Sequence, residues 1–224
     1  IAAFAGPTLA QWTKDALAPT FYASFLSLTG VALLGAVLAL GLKIPPIVKV
    51  KHQNVRRPWT DICKNPKLII AVMSGVLGYA VMNLLMTATP LAMMHYHFHF
   101  SATVTVIQWH LVAMFAPSFF SGAFMQKIGI LPVMLLGCLF NLGGITVNII
   151  GVELIHFVIS LILFGVGWNF LYVGATSLLT ESNRKEQATG IQAFNDTLVF
   201  LAVAIVTMLS ATLVNSWGWQ AVNL

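Results

Sequence analysis

Between residues 68 and 214 the chain is a string of apolar runs, each about 20 residues long and parted from the next by a short link. Runs of that length match the hydrocarbon thickness of a bilayer. In lipid every backbone N–H and C=O must be paired inside the structure, and continuous runs achieve this as helices. Only 8% of the residues are charged, against about 25% in soluble domains, too few to build a water-exposed surface. These observations exclude a soluble domain and predict an all-α, polytopic helical membrane protein.

Six full spans are expected, at 21–42, 68–94, 102–125, 130–151, 154–180 and 188–214. Residues 1–10 are too short to cross and read as the tail of a helix, closed by 11–15. Pro90 in the second span is expected to kink or break it and open a cavity. The chain starts Ile-Ala-Ala and stops just after an apolar run, which reads as a fragment of a longer protein.

The link at 43–67 is the one stretch resembling ordinary soluble protein, and its charge is lopsided. Lys43, Lys49, Lys51, Arg56, Arg57, Lys64 and Lys67 are seven of the eleven Lys and Arg residues, against one acid, Asp61. Basic links mark the cytoplasmic side of a membrane protein. The links at 125–130, with Lys127, and 181–187, with Arg184 and Lys185, fall on that same side. The opposite links hold only Lys14, so the bias sets an orientation with loops 43–67, 125–130 and 181–187 in the cytoplasm. Basic residues confined to membrane links argue against a nucleic-acid partner.

The order of parts is one full span, a basic link, then spans with short links. The second link of that last series reads Ser121-Gly122-Ala123-Phe124-Met125-Gln126-Lys127-Ile128-Gly129. It resembles the Gly-x-x-x-Asp-Arg-x-Gly signature between the second and third helices of each half in the major facilitator superfamily. Gly122, Lys127 and Gly129 match, while Gln126 stands where the family usually has Asp. Gly6-Pro7 resembles the fifth-helix Gly-Pro of family antiporters, but Leu9-Ala10 replaces the following glycine pair, so antiport is not inferred. Residues 167–174, leading into Thr180-Glu181-Ser182, resemble a tenth helix. The resemblance implies that 1–42 ends the N-terminal six-helix half and 43–67 is the central cytoplasmic loop. Residues 68–224 would then be the C-terminal half, from helix seven to the start of helix twelve.

Polar groups inside a bilayer are costly unless they face protein or water, which makes them site candidates. Gln192, Asn195, Asp196 and Val199 share one helix face by i, i+3, i+4, i+7 spacing. Asp196 there either binds a cation, pairs with substrate or carries a proton, or it simply pairs with Arg184 or Lys185. Asn169, Tyr172 and Thr176 share a face, giving either a binding surface for a polar or aromatic solute or hydrogen bonds between helices. Asn83 and Thr87, at i, i+4, precede Pro90 and act as cavity lining or packing. Gln108 and His110 sit about two turns inside the outer face, His110 as a proton relay or as donor of one bond between helices. Gly137, Asn141, Gly144 and Asn148 form a small-polar stripe that reads as packing. Alternating His95, His97 and His99 suit zinc or copper in an extended strand. No Cys or acid accompanies them, and they fit the headgroup level, so no metal site is assigned.

A transporter of a small organic solute is therefore expected, working by alternating access and driven by protons or Na+ or by facilitated diffusion. It is not expected to be an enzyme or to need a cofactor. The resemblance implies a cavity lined by Asn83, Thr87, Gln108, His110, Asn169, Tyr172, Asn195 and Asp196. It also implies a cytoplasmic hinge of Gly122, Lys127 and Gly129, with Lys127 meeting Glu181 in one state. The complete protein is expected to be a monomer in the inner (plasma) membrane. The alternatives are drug or metabolite efflux within the same superfamily, or a non-transporting membrane receptor or membrane-embedded enzyme.

Overall fold

A computed structural model describes residues 2–43, 65–182 and 188–223. The described residues form α1 (Ala2–Thr13), α2 (Tyr22–Leu40), α3 (Pro66–His95), α4 (Phe100–Phe115), α5 (Ser118–Ile128), α6 (Ile130–Ile150), α7 (Leu154–Ser182) and α8 (Ala188–Val222), with no strand among them. Most of the basic link, including Lys49 to Lys64, and the residues Arg184 and Lys185 lie outside the described residues. Five helices are long and apolar enough to cross a membrane, or six if α4 and α5 form one bent span. The protein is a multi-pass, all-α membrane protein.

The chain divides into two compact units, 1–55 and 56–224. In the first, α1 runs on through Gln11 and Trp12, beyond the end expected at residue 10. Its Thr13 hydroxyl donates to Ser24 Oγ at 2.8 Å, and Ser24 Oγ donates to the Ala10 carbonyl at 3.4 Å, polar contacts between α1 and α2.

In the second unit α7 is the central helix, packing against α3, α4 and α6. Small residues allow this closeness. A Cβ on Gly137 of α6 would lie 2.8 Å from the Gly167 carbonyl, and one on Gly165 would lie 2.8 Å from the His110 carbonyl of α4. Lipid supplies no hydrophobic drive between helices, so close backbone approach and dispersion hold such bundles together. The stripe of Gly137, Gly144 and Asn148 is buried as packing. On the outward side of α6, Leu135, Leu139 and Leu142 are exposed at i, i+4, i+7, an arrangement suited to lipid.

Three expected spans differ in detail. The run at 102–125 is not one helix but breaks between α4 and α5, with a bend of 40°. Pro117 stands at the break; it has no N–H to donate and its ring crowds the preceding turn. Conversely, Pro90 does not end α3, which stays helical to His95. The last helix runs past residue 214 to Val222, interrupted only at Gly218, whose φ of +82° suits a residue without Cβ. Beyond that break Asn223 accepts from Asn148 Nδ2 at 2.6 Å, tying the chain's end to α6. The histidine link is not an extended strand: His95 ends α3, His97 has φ +61°, and His99 precedes α4.

Candidate functional site

The face shared by α3, α7 and α8 brings an aromatic cluster together with amides and an acid. Trp168 and Tyr172, one turn apart on α7, stack nearly parallel at 5.2 Å with a 10° interplanar angle. Tyr79 of α3 meets both edge-on, at 5.4 Å from Trp168 and 5.2 Å from Tyr172. Phe200 of α8 approaches Tyr79 at 6.5 Å, and Phe115 of α4 approaches Trp168 at 6.1 Å. Edge-to-face and offset stacked pairs suit the ring quadrupole and add stabilisation beyond burial. Phe115 and Phe200 are more than half exposed, whereas Trp168 is buried.

Asp196 lies one turn before Phe200 on α8. Its Oδ1 accepts from Gln192 Nε2 at 2.8 Å and from Asn195 Nδ2 at 3.3 Å. The face expected from helical spacing is thus formed, with both amides serving the carboxylate. The Tyr172 hydroxyl has Asp196 and Tyr79 as electrostatic neighbours. Asn195 is 1% exposed, and its Oδ1 has no hydrogen-bond partner among the described residues. Toward the other end of α8, Asn83 of α3 donates to Thr207 Oγ1 at 2.7 Å.

The remaining candidates go elsewhere. Asn169 is fully buried, and its Nδ2 donates to the Met114 carbonyl at 2.7 Å and to Ser118 Oγ at 2.6 Å. It bridges the two sides of the α4–α5 break. Asn169 and Tyr172 therefore face different neighbours despite their shared stripe. His110 is buried and its Nδ1 donates to the Leu161 carbonyl at 2.7 Å, a bond between α4 and α7. Thr87 bonds back to the Asn83 and Leu84 carbonyls of its own helix. Gln108 is partly buried on α4.

Gly122, Gly129 and Glu181 do meet, with Met125, Gln126, Ile130 and Ser177, around a cleft of about 420 Å³. Gly129 is a single-residue link between α5 and α6, with φ +95°, a conformation that favours glycine. Lys127 is exposed in the last turn of α5, where a cation complements the helix dipole. The ion pair of Glu181 in this structure is with Lys67, at 3.7 Å, rather than with Lys127. Among the described residues no group of three His, Cys, Asp or Glu is placed to hold a metal ion.

Tyr79, Trp168, Phe200 and Thr207 are absent from the sequence candidates. Their signal is positional: Tyr79, Trp168 and Phe200 each lie one helical turn from a flagged polar residue, Asn83, Tyr172 and Asp196 respectively.

The pattern of the Major Facilitator Superfamily matches residues 1–207. The riboflavin transporter RfnT of Brucella anthropi is 34% identical over 226 residues, covering 100% of this chain and 57% of that protein. The uncharacterized MFS-type transporter YdeG of Bacillus subtilis is 29% identical over 239 residues, covering 99% of this chain and 56% of that protein. A second from Bacillus subtilis, the uncharacterized MFS-type transporter YddS, is 28% identical over 158 residues, 67% of this chain and 36% of its own length. This chain thus spans little more than half the length of the first two relatives. An all-α bundle of membrane-length helices, a Gly-x-x-x-x-Lys-x-Gly link and a match over residues 1–207 agree: the chain belongs to the Major Facilitator Superfamily.

Proposed function

We propose that this chain supplies the C-terminal half, with the end of the N-terminal half, of a secondary transporter that moves a small aromatic organic solute by alternating access. The observation that carries the reading is the ring cluster of Tyr79, Trp168 and Tyr172, set beside Asp196 on a partly exposed face. Rings gathered from separate helices, with one acid held by two amides, suit a planar solute with polar edges. The printed activity of the relative from Brucella anthropi, riboflavin transport, supports a flavin-like heterocycle.

In this reading Asn83, Tyr172 and Asp196 line the solute path, joined by Tyr79, with the buried Asn195 and Trp168 behind them. Asn169 and His110 hold the half together around it. Asp196 is the coupling candidate, as the one charged side chain between residues 190 and 222. Gly122, Lys127, Gly129 and Glu181 form the cytoplasmic hinge, where Glu181 leaves Lys67 for Lys127 as the halves rock. The basic links face the cytoplasm of an inner membrane. Uptake of radiolabelled riboflavin by the complete protein in vesicles, with and without imposed proton and Na+ gradients, tests the reading. Saturable uptake above empty vesicles is the expected result; flux equal to empty vesicles under every gradient overturns it.

A further inference from the structure

We infer that the α3–α7–α8 face seats a planar heterocycle on Tyr172, with its N–H edge at Asp196 and a hydroxylated chain extending toward Asn83 and Thr207. The inference rests on the transport reading above and assigns its substrate class and orientation.

The ring seat is formed before a ligand arrives. Trp168 backs Tyr172 in a parallel stack, and Tyr79 abuts both rings edge-on. A planar solute laid on Tyr172 extends that stack without reordering it, which lowers the entropic cost of binding. Phe200, 62% exposed, flanks Tyr79 from α8.

Polar groups lie at both ends of this seat. At the α8 N-terminal end stand Gln192 and Asp196, hydrogen-bonded to each other. Among the described residues both bonds to Asp196 fall on Oδ1, so Oδ2 is turned to no protein donor there. An imide or amine N–H of a heterocycle fits such an oxygen. At the other end the Thr207 hydroxyl donates to the Val203 carbonyl and accepts from Asn83 Nδ2, which leaves the Asn83 amide oxygen and a lone pair of Thr207 Oγ1 as acceptors for a polyol. Eleven residues of α8 separate Asp196 from Thr207, about 16 Å along the axis, room for a fused ring system plus a chain of several carbons.

Equilibrium binding to the complete protein in detergent, read by quenching of ligand fluorescence, tests this with two probes, riboflavin and lumichrome (the ring system without the chain). Both should bind. Tyr172→Leu should weaken riboflavin and lumichrome together by about tenfold, the loss of one stacking contact, with Tyr172→Phe close to wild type. Asn83→Ala with Thr207→Val should weaken riboflavin severalfold and leave lumichrome unchanged. Tyr172→Leu binding normally, Asn83→Ala with Thr207→Val weakening both probes alike, or neither probe binding the wild type would each overturn the inference. Binding without flux would sink the transport reading and leave the ring seat standing. Flux with a normal Tyr172→Leu would do the reverse.

Discussion

Lys67 Nζ stands 3.7 Å from Glu181 Oε1, joining the first turn of α3 to the last turn of α7. Each charge sits at the unfavourable end of its helix, a cation at an N-terminus and an anion at a C-terminus. Both side chains are about 60% exposed, at 60% and 59%, so the pair itself contributes little, about 0.2–1 kcal/mol. Exchanging the residues, Lys67→Glu with Glu181→Lys, keeps the pair and corrects both dipole conflicts. The exchanged protein should be as stable as wild type or more so, by about 0.3–1 kcal/mol per corrected end, whereas Lys67→Glu alone should be less stable. Thermal unfolding in detergent separates these outcomes; equal losses in the single and double variants would show that the pair is incidental.

Asn169→Ala should be among the more damaging polar truncations in the protein. It removes both donors from the α4–α5 break and leaves the Met114 carbonyl without them. The expected loss is about 1–2 kcal/mol, above the average bond between membrane helices because a freed backbone group is left buried. A melting temperature unchanged from wild type would mean that lipid or water serves that carbonyl equally well.

Two glycines make a paired test of packing against movement. Gly165→Ala places a methyl 2.8 Å from the His110 carbonyl and 3.0 Å from the Met114 nitrogen, so backbone must shift. It should cost about 1–3 kcal/mol of stability. Gly122→Ala meets nothing within 4 Å and should leave stability unchanged. If Gly122→Ala nonetheless slows uptake by the complete protein, the loss belongs to the moving state; unaltered uptake removes Gly122 from the hinge.

Asp196→Asn keeps the shape of the side chain and the donor from Gln192, but removes the charge. Solute binding at equilibrium should survive within severalfold, while accumulation driven by an ion gradient should collapse toward the downhill level. Uptake with the wild-type rate and pH dependence would exclude Asp196 from coupling.

The helices are legible in the sequence because bilayer thickness demands apolar runs of set length, and the runs near 68–94 and 154–180 recur as α3 and α7 with small shifts. What hydropathy does not distinguish is Pro90 from Pro117, two prolines inside apolar runs. At Pro90 the helix carries through; at Pro117 it breaks, and Asn169 on α7 stands ready to bond both sides. That difference lies in the neighbouring helix, not in the local sequence. The polar face of Gln192, Asn195 and Asp196 follows from helical spacing alone. The ring cluster does not, because Tyr79, Trp168 and Phe200 look like ordinary span residues until the register of α3, α7 and α8 brings them together.

The amide that closes the α4–α5 break also imposes an order on synthesis. Asn169 lies 55 residues after Met114, so α4 and α5 enter the membrane well before their donor is translated. During that interval the bend holds a carbonyl that the chain itself has not yet satisfied. The first four helices of the second unit thus gain that donor only when α7 inserts among them, one helix before α8 completes the unit against α3.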